Sequence, residues 1–179
     1  MQKRSKPELQ EKGICDYCGT IEDIKHILTN CVFSGQELTW NLAATAWPLT
    51  GEEWFYPSVG NIPSSGLNPY TNDSGKQNKG LNHLCTIILS ESAYLIWKIC
   101  CEWHIGQGRN QEKLHHSKEI KNRWFPTMYH RLQLDKLSVD TKYRNKHSAL
   151  RKNALINPCK YLISPDNIWT IDNQHFMGF

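Results

Sequence analysis

Residues 15–31 read Cys15-Asp-Tyr-Cys18-Gly-Thr-Ile-Glu-Asp-Ile-Lys-His26-Ile-Leu-Thr-Asn-Cys31, with three thiols and one imidazole in seventeen residues. Zinc takes four tetrahedral ligands from Cys sulfur and His nitrogen, and four protein ligands leave no open coordination position. The C-x2-C-x7-H-x4-C spacing therefore predicts one structural Zn²⁺ held by Cys15, Cys18, His26 and Cys31. The alternative is three reduced cysteines near a surface histidine, without a metal.

Local signals around these ligands favour the metal interpretation. Gly13 and Gly19 flank the first ligand pair, where a tight turn must direct two thiolates at one ion. Thr20-Ile-Glu-Asp23 has the pattern of a capping box, so we expect a helix to start there with two carboxylates in its first turn. His26 would then project from this helix, and Cys31 would lie at or just past its end.

Length and composition fit one folded domain, or one domain with a small zinc module. Hydrophobic content is a modest 39%, but seven Trp and seven Tyr bury a large area per residue. The odd count of seven cysteines, three of them at zinc spacing, favours a reducing intracellular compartment, nucleus or cytoplasm. Residues 1–12 lack the apolar stretch of a signal peptide, and polar residues interrupt the apolar run 84–101, so no membrane partner is expected.

Positive charge is concentrated in one part of the chain. Residues 98–160 hold fourteen Lys and Arg against five Asp and Glu, a net charge of +9, whereas the whole chain carries +4. Such a segment is typical of a surface that binds a polyanion such as DNA or RNA, although lysines and arginines can also simply solvate the outer faces of helices. The candidate phosphate contacts are Arg109, Lys113, Lys118, Lys121, Arg123, Arg131, Lys142, Arg144, Lys146, Arg151 and Lys152. Tyr17 can stack on an unpaired base, or can pack against the zinc module's own helix.

Apolar residues at three- and four-residue steps predict the helices. Ser34-Gly-Gln-Glu37 is a second capping box, and the helix after it ends before Pro48. Its apolar stripe comprises Leu38, Leu42, Ala43 and Ala46, with Trp40 and Trp47 on the flanking faces. Residues 81–105 are apolar on several faces, which marks a central, largely buried helix that Gly106 and Gly108 end. Its recurring apolar residues are Leu81, Leu84, Cys85, Ile88, Tyr94, Leu95, Trp97 and Ile99.

Residues 112–137 are charged and helical in pattern, and Pro126 is expected to divide them into two helices. The second of these would turn inward Met128, Leu132 and Leu134. A further basic helix is predicted over residues 140–156, and residues 168–171 are expected to form a short strand or a docked extended segment.

These patterns together predict a mainly α fold, in which a small Cys3His zinc module precedes a bundle of about five helices with a long irregular loop. The expected boundaries are a flexible N-terminus at 1–12, the zinc module with its following helix at 13–47, a Pro/Gly-rich loop at 48–80, a helical bundle at 81–160 that is basic in its second half, and an extended tail at 161–179.

Further groups of reactive side chains are candidates for catalysis or for a second metal. Cys100 and His104 share a helix face at i and i+4, but Cys85 lies about 22 Å away along a straight helix and cannot join them. Buried core cysteines are therefore the favoured interpretation over a second metal site. His115 and His116 are expected to be solvated, and no Ser-His-Asp, Cys-His or paired-carboxylate arrangement suggests an enzyme.

Several segments together resemble the zinc-binding region at the C-terminus of non-LTR (LINE-type) retrotransposon reverse transcriptases, as found in fungal elements. The resemblance starts with the zinc stretch and the following helix that contains Trp40 and a Trp-Pro step. It continues through Glu91-Ser-Ala-Tyr-Leu-Ile-Trp97-Lys98, Glu119-Ile-x-Asn122-Arg123-Trp124, Arg131-Leu132-x-x-Asp135 and the closing Met177-Gly178. The family usually has basic residues where Cys100 and Trp103 stand here, which makes this positive face weaker.

The resemblance implies a detached C-terminal piece of a polyprotein whose upstream part is an RNA-directed DNA polymerase. Its catalytic domains have no counterpart in this chain, which lacks a Tyr-x-Asp-Asp motif. The family's zinc region is assigned to nucleic-acid binding rather than to chemistry. One alternative is a scaffold that docks on the upstream polymerase through exposed aromatic residues such as Trp54, Phe55 and Trp169. Another is the non-functional relic of an inactivated element.

Overall fold

The computed structural model describes residues 13–47, 53–67, 70–72 and 74–139, with backbone only at Val32, Gln111 and 136–139. The predicted N-terminal segment 1–12, the helix over residues 140–156 and the tail at 161–179 lie outside the described residues. The same holds for five of the basic candidates, namely Lys142, Arg144, Lys146, Arg151 and Lys152, and for Trp169.

The described residues are mainly helical, as predicted. Three α-helices are present in them: α1 at Gln36–Ala46, α2 at Lys79–Cys101 and α3 at Ser117–Val139. Shorter elements are π-helical turns at His26–Asn30 and Glu102–Gly106 and 3₁₀ turns at Val32–Ser34, Ser65–Leu67 and Gln111–Lys113. Extended pairing within the described ranges is limited to two isolated bridges, Ile14–Ile21 and Thr71–Gln77.

Helix α2 is the centre of the fold. It packs against α1, α3 and the short turns that precede α1, and its side chains are buried on most faces. Among the residues that the sequence placed in the apolar pattern, Tyr94 and Trp97 differ, because both are exposed on the outer face. The segment Lys79–Gly106 is long and apolar enough to cross a membrane, yet 61% of its apolar window is buried inside the fold. That burial is typical of the core helix of a folded domain.

The start of α1 differs from the predicted capping box. Gly35 occupies the N-cap position with φ 67°, and no side chain caps this helix. Ser34 is buried, and its hydroxyl contacts the carbonyl oxygens of Ile27 and Cys31, each at 2.8 Å. The positive φ of Gly35 favours glycine, and a Cβ at this position would lie 2.6 Å from Cδ1 of Ile120 on α3, so that side chain would have to shift.

Trp40 and Trp47 join α1 to its surroundings. The sequence placed them on the flanking faces of this helix, but both side chains are buried. The indole N–H of Trp40 donates to the carbonyl oxygen of Leu28 at 2.8 Å, which connects α1 to the turn that carries His26. Trp47 contacts the rings of Trp54 and Tyr70, with centroids 5.5 and 5.3 Å apart. The described part of the 48–80 loop is therefore held to the core by its aromatic residues.

Helix α3 continues through Pro126, so the predicted division into two helices is wrong. Proline in a helix interior costs about 3 kcal/mol or more. Here Pro126 is exposed, while Trp124, Met128 and Leu132 are buried against the core. Each such side chain contributes about 1.5–3 kcal/mol on burial, so packing outweighs the cost of the proline. Leu134, expected inward, is exposed.

We predict that Trp40→Phe destabilises the protein by about 1–3 kcal/mol, because the buried carbonyl of Leu28 loses its indole donor. Trp97→Phe is the matched control, since Trp97 is exposed on α2, and its effect should remain within about 0.5 kcal/mol. Guanidinium unfolding of the zinc-loaded chain measures both values. Equal destabilisation by the two substitutions would contradict the assigned role of Trp40.

Candidate metal centre

A tight turn presents the first two ligands. The N–H of Cys15 donates to the carbonyl oxygen of Thr20, and the N–H of Gly19 donates to the carbonyl oxygen of Cys15, both at 2.8 Å. Gly19 has φ 66°, a conformation that favours glycine, which confirms its predicted place beside the ligand pair. Cys15 and Cys18 therefore project from one closed turn.

The second pair of ligands lies on a short helix that begins at Ile24, later than the capping-box pattern indicated. Asp23 is the residue that caps it: its carboxylate accepts the N–H of His26 at 2.7 Å. The helix widens to a π-helical turn, in which the N–H of Cys31 donates to the carbonyl oxygen of His26 at 2.7 Å. His26 therefore projects from the helix and Cys31 follows its end, as predicted.

The four ligand atoms converge on one point. Cys15, Cys18, His26 and Cys31 each place a ligand atom within 4.8 Å of the others. The sulfur of Cys31 lies 3.9 Å from each of the other two sulfurs, too far for a disulfide bond of about 2.05 Å. With zinc–sulfur bonds of about 2.3 Å, the edge of a tetrahedron is about 3.8 Å. The observed separations therefore fit one zinc ion.

The imidazole of His26 is oriented as a metal ligand. Its Nδ1 lies 3.2 Å from the hydroxyl oxygen of Thr20, while its Nε2 is buried and has no hydrogen-bond partner among the described residues. A buried polar atom without a partner is costly unless something else satisfies it. With the proton on Nδ1 donated to Thr20, the Nε2 lone pair is left for a metal. This geometry favours the metal over reduced cysteines near a surface histidine.

Burial affects the protonation of one of the four ligands, Cys31. Cys15, His26 and Cys31 are all buried. Removal from water raises the pKa of Cys31 to about 12, with smaller increases from the nearby Cys15 and Cys18. Without a metal the Cys31 thiol is therefore protonated near neutral pH, and a zinc ion must displace its proton.

The residues proposed for nucleic-acid contact have different surroundings. The ring of Tyr17 packs on Phe33, which in turn contacts Trp103, so packing inside the module is observed for this residue. The three arginine candidates that the structure describes each make an ion pair with another residue of the chain. Arg109 contacts Asp16 at 2.6 Å, Arg123 binds Glu102 through two contacts at 2.7 and 2.9 Å, and Arg131 lies 3.7 Å from Glu91 and 3.8 Å from Asp135.

The three lysine candidates within the described ranges are exposed or partly exposed to solvent. Lys113 and Lys118 are exposed, and Lys121 is partly exposed. None of the three pairs with a carboxylate of the described residues. By contrast, Arg123 already binds a carboxylate of the same chain: its hydrogen bonds to Glu102 lower the pKa of that carboxyl group. Among the described candidates, the lysines are therefore the side chains most available to an anion.

Sequence reasoning missed four further features near these sites. Thr20 and Asp23 are the first and last residues of the predicted capping box. Thr20 contacts the imidazole of His26, and Asp23 caps the helix that carries His26. His115 was expected to be solvated, yet its side chain is buried and its Nδ1 lies 2.7 Å from Glu119. Glu22 joins Cys100 and His104 in a second cluster, which no local pattern could indicate.

Comparisons of the chain with protein-family models, with curated proteins and with solved structures gave no match. The function must therefore be inferred from the geometry of the site and from the charges around it.

We predict that the chain binds one zinc tightly and that a Cys18→Ser/Cys31→Ser variant loses it, because two of the four ligands are removed. The affinity should fall with pH by about tenfold per unit for each thiol that must lose a proton. Metal analysis after gel filtration, with a chelator competition at several pH values, measures both. Folded wild-type protein without zinc would contradict the assignment.

We predict that Thr20→Val weakens zinc binding by about 10–100-fold, because His26 loses the partner that fixes its tautomer. Thr29→Val is the matched control. Thr29 lies on the short helix that carries His26, but its hydroxyl contacts Lys25 and Asn30 and not the imidazole. Chelator competition compares the two affinities. A loss of equal size in both variants would assign the effect to the helix rather than to His26.

Proposed function

We propose that this chain is a zinc-stabilised module that binds nucleic acid through phosphate contacts and carries out no catalysis itself. The observation that carries the proposal is the convergence of the four Cys3His ligand atoms within 4.8 Å. Four protein ligands complete a tetrahedral zinc site and leave no position for a substrate, so the role of the ion is structural.

The zinc would hold together two short segments, in addition to the contact between Thr20 and His26. One is the turn with Cys15 and Cys18, and the other is the helix with His26 and Cys31. The second segment packs on α1 and α2, where Trp40 donates a hydrogen bond to it. Metal binding therefore connects the N-terminal turn to the helical core.

The proposed contacts to nucleic acid are lysines near the start of α3. Lys118 and Lys121 are three residues apart, so they lie on the same side of the helix, and Lys113 belongs to the 3₁₀ turn before it. Flexible ammonium groups bind phosphates without reading sequence, and such binding weakens as salt rises. DNA and RNA both offer this chemistry.

The resemblance to the zinc-binding region of LINE-type reverse transcriptases supports the same proposal. It suggests that the chain is a C-terminal piece of such a polyprotein, whose upstream domains are then its natural neighbours. In that setting the module would help to hold nucleic acid while the polymerase acts. The parent enzyme, not this chain, would supply the chemistry.

A docking scaffold is the second candidate, and one observation favours it. Tyr94 and Trp97 stack on the outer face of α2 with ring centroids 5.9 Å apart, and both are exposed. Trp54 and Phe55, proposed from sequence as contact residues, instead pack against the core. An exposed aromatic pair is typical of a surface that meets a protein partner, here the upstream polymerase.

We predict that Lys118→Glu/Lys121→Glu weakens binding to duplex DNA and makes it less dependent on salt. The slope of log affinity against log salt should become shallower by about 0.9 for each phosphate that the protein no longer neutralises. The matched control is Lys76→Glu/Lys79→Glu, which changes the net charge equally on two exposed lysines elsewhere. Fluorescence anisotropy with labelled duplex and single-stranded oligonucleotides, at about 50 and 200 mM salt, measures the effect.

Two results would count against the proposal. One is the absence of wild-type binding at low salt, and the other is an equal loss of affinity in both charge-changed variants. If binding is absent, Tyr94→Ser/Trp97→Ser tests the scaffold function: this variant should lose affinity for the upstream polymerase domains while its zinc content is unchanged.

A further inference from the structure

A second group of potential metal ligands lies between the N-terminal module and α2. Glu22 belongs to the segment between the first ligand pair and His26, Cys100 lies near the end of α2, and His104 belongs to the π-helical turn that follows. Nε2 of His104 is 2.6 Å from Oε1 of Glu22, and the sulfur of Cys100 is 3.6 Å from the same oxygen. All three ligand atoms lie within 4.8 Å of one another.

The cluster is largely shielded from water. Cys100 is 8% exposed, and the side chains of Glu22 and His104 are 12% and 14% exposed. None of these residues is a ligand of the first centre. Cys100 and His104 are four residues apart and share a helix face, whereas Glu22 comes from a distant part of the chain. The approach of Glu22 to the other two side chains is therefore a property of the fold.

We propose that Glu22, Cys100 and His104 form a second site for a divalent metal ion of borderline softness such as Zn²⁺. These three ligand types are the ones that zinc accepts in proteins, and three protein ligands leave one coordination position for solvent. One carboxylate and one thiolate balance the charge of a divalent ion, and the imidazole is neutral. The occupied site is therefore electrically neutral, which suits its burial.

The distances indicate which part of the site must adjust. For zinc bonds of about 2.3 Å to sulfur and 2.0 Å to oxygen, the tetrahedral edge is about 3.5 Å, close to the distance between Cys100 and Glu22. The tetrahedral edge between a nitrogen ligand and an oxygen ligand is about 3.3 Å. The observed distance between Nε2 of His104 and Oε1 of Glu22 is shorter, 2.6 Å. The carboxylate must move outward by less than an ångström, a small side-chain rotation.

Occupation of this site also requires proton release. Burial, and then the nearby carboxylate of Glu22, raise the pKa of Cys100, so its thiol is protonated until a metal displaces the proton. The second ion is expected to bind more weakly than the first, because it has three protein ligands instead of four and one of them must move. When bound, it would link the N-terminal module directly to α2.

The test is a titration of the full chain with Co²⁺ and with Zn²⁺, followed by metal analysis. Wild-type protein should take up a tight equivalent and then a weaker one, and the second should add a smaller cobalt–thiolate absorption because it has one sulfur instead of three. Glu22→Gln and His104→Gln should each remove the second equivalent and leave the first. Cys101→Ser is the matched control and should retain both, since this neighbouring thiol is outside the cluster.

Circular dichroism shows which variants fold. Two ligand variants, Glu22→Gln and His104→Gln, are prepared so that the test can be made even if only one of them folds. Saturation of the wild type at one equivalent would overturn the proposal, as would two equivalents in both Glu22→Gln and His104→Gln. The first equivalent in the same titration reports on the Cys3His centre. A failure of the second site is thereby distinguished from a failure of the first.

Discussion

The N-terminal module is organised around one point, where three sulfurs and one imidazole nitrogen converge. The N-terminal segment has little apolar burial of its own, since Ile14, Ile21 and Ile24 are all exposed. Its shape comes from backbone hydrogen bonds within its turn and from the contacts of Asp16, Tyr17 and Glu22 with residues further along the chain. A tetrahedral ion held by all four ligands would add a further constraint, because its binding free energy is then part of the folding free energy.

That constraint reaches the helical core through a few buried contacts. The carbonyl oxygen of Leu28 accepts a hydrogen bond from the indole N–H of Trp40. The hydroxyl of Ser34 contacts carbonyl oxygens of the turn before it. Gly35 then allows α1 to approach Ile120 on α3. Because α2 packs against each of these elements, the geometry of the metal centre and the positions of the surface lysines on α3 belong to one connected structure.

The sequence predicted the metal-ligand set and the central helix, and it failed where other contacts compete with a local helix signal. The Cys3His set, the position of Cys31 after its helix and the central place of α2 were predicted correctly. Both capping boxes were wrong, because the hydroxyl of Ser34 meets nearby carbonyls and Thr20 contacts His26. The break at Pro126 was wrong because buried residues on either side outweigh a local cost.

By itself, the sequence determined the four side chains of the candidate metal centre, since their spacing fits one tight turn and one short helix. It also determined that α2 is a core helix, since its apolar residues recur at helical steps. Only the tertiary structure decided which charges are available. Arg109 pairs with Asp16, and Glu22 meets His104, across long separations in the chain. Such pairs depend on how the helices pack, and no periodicity records that.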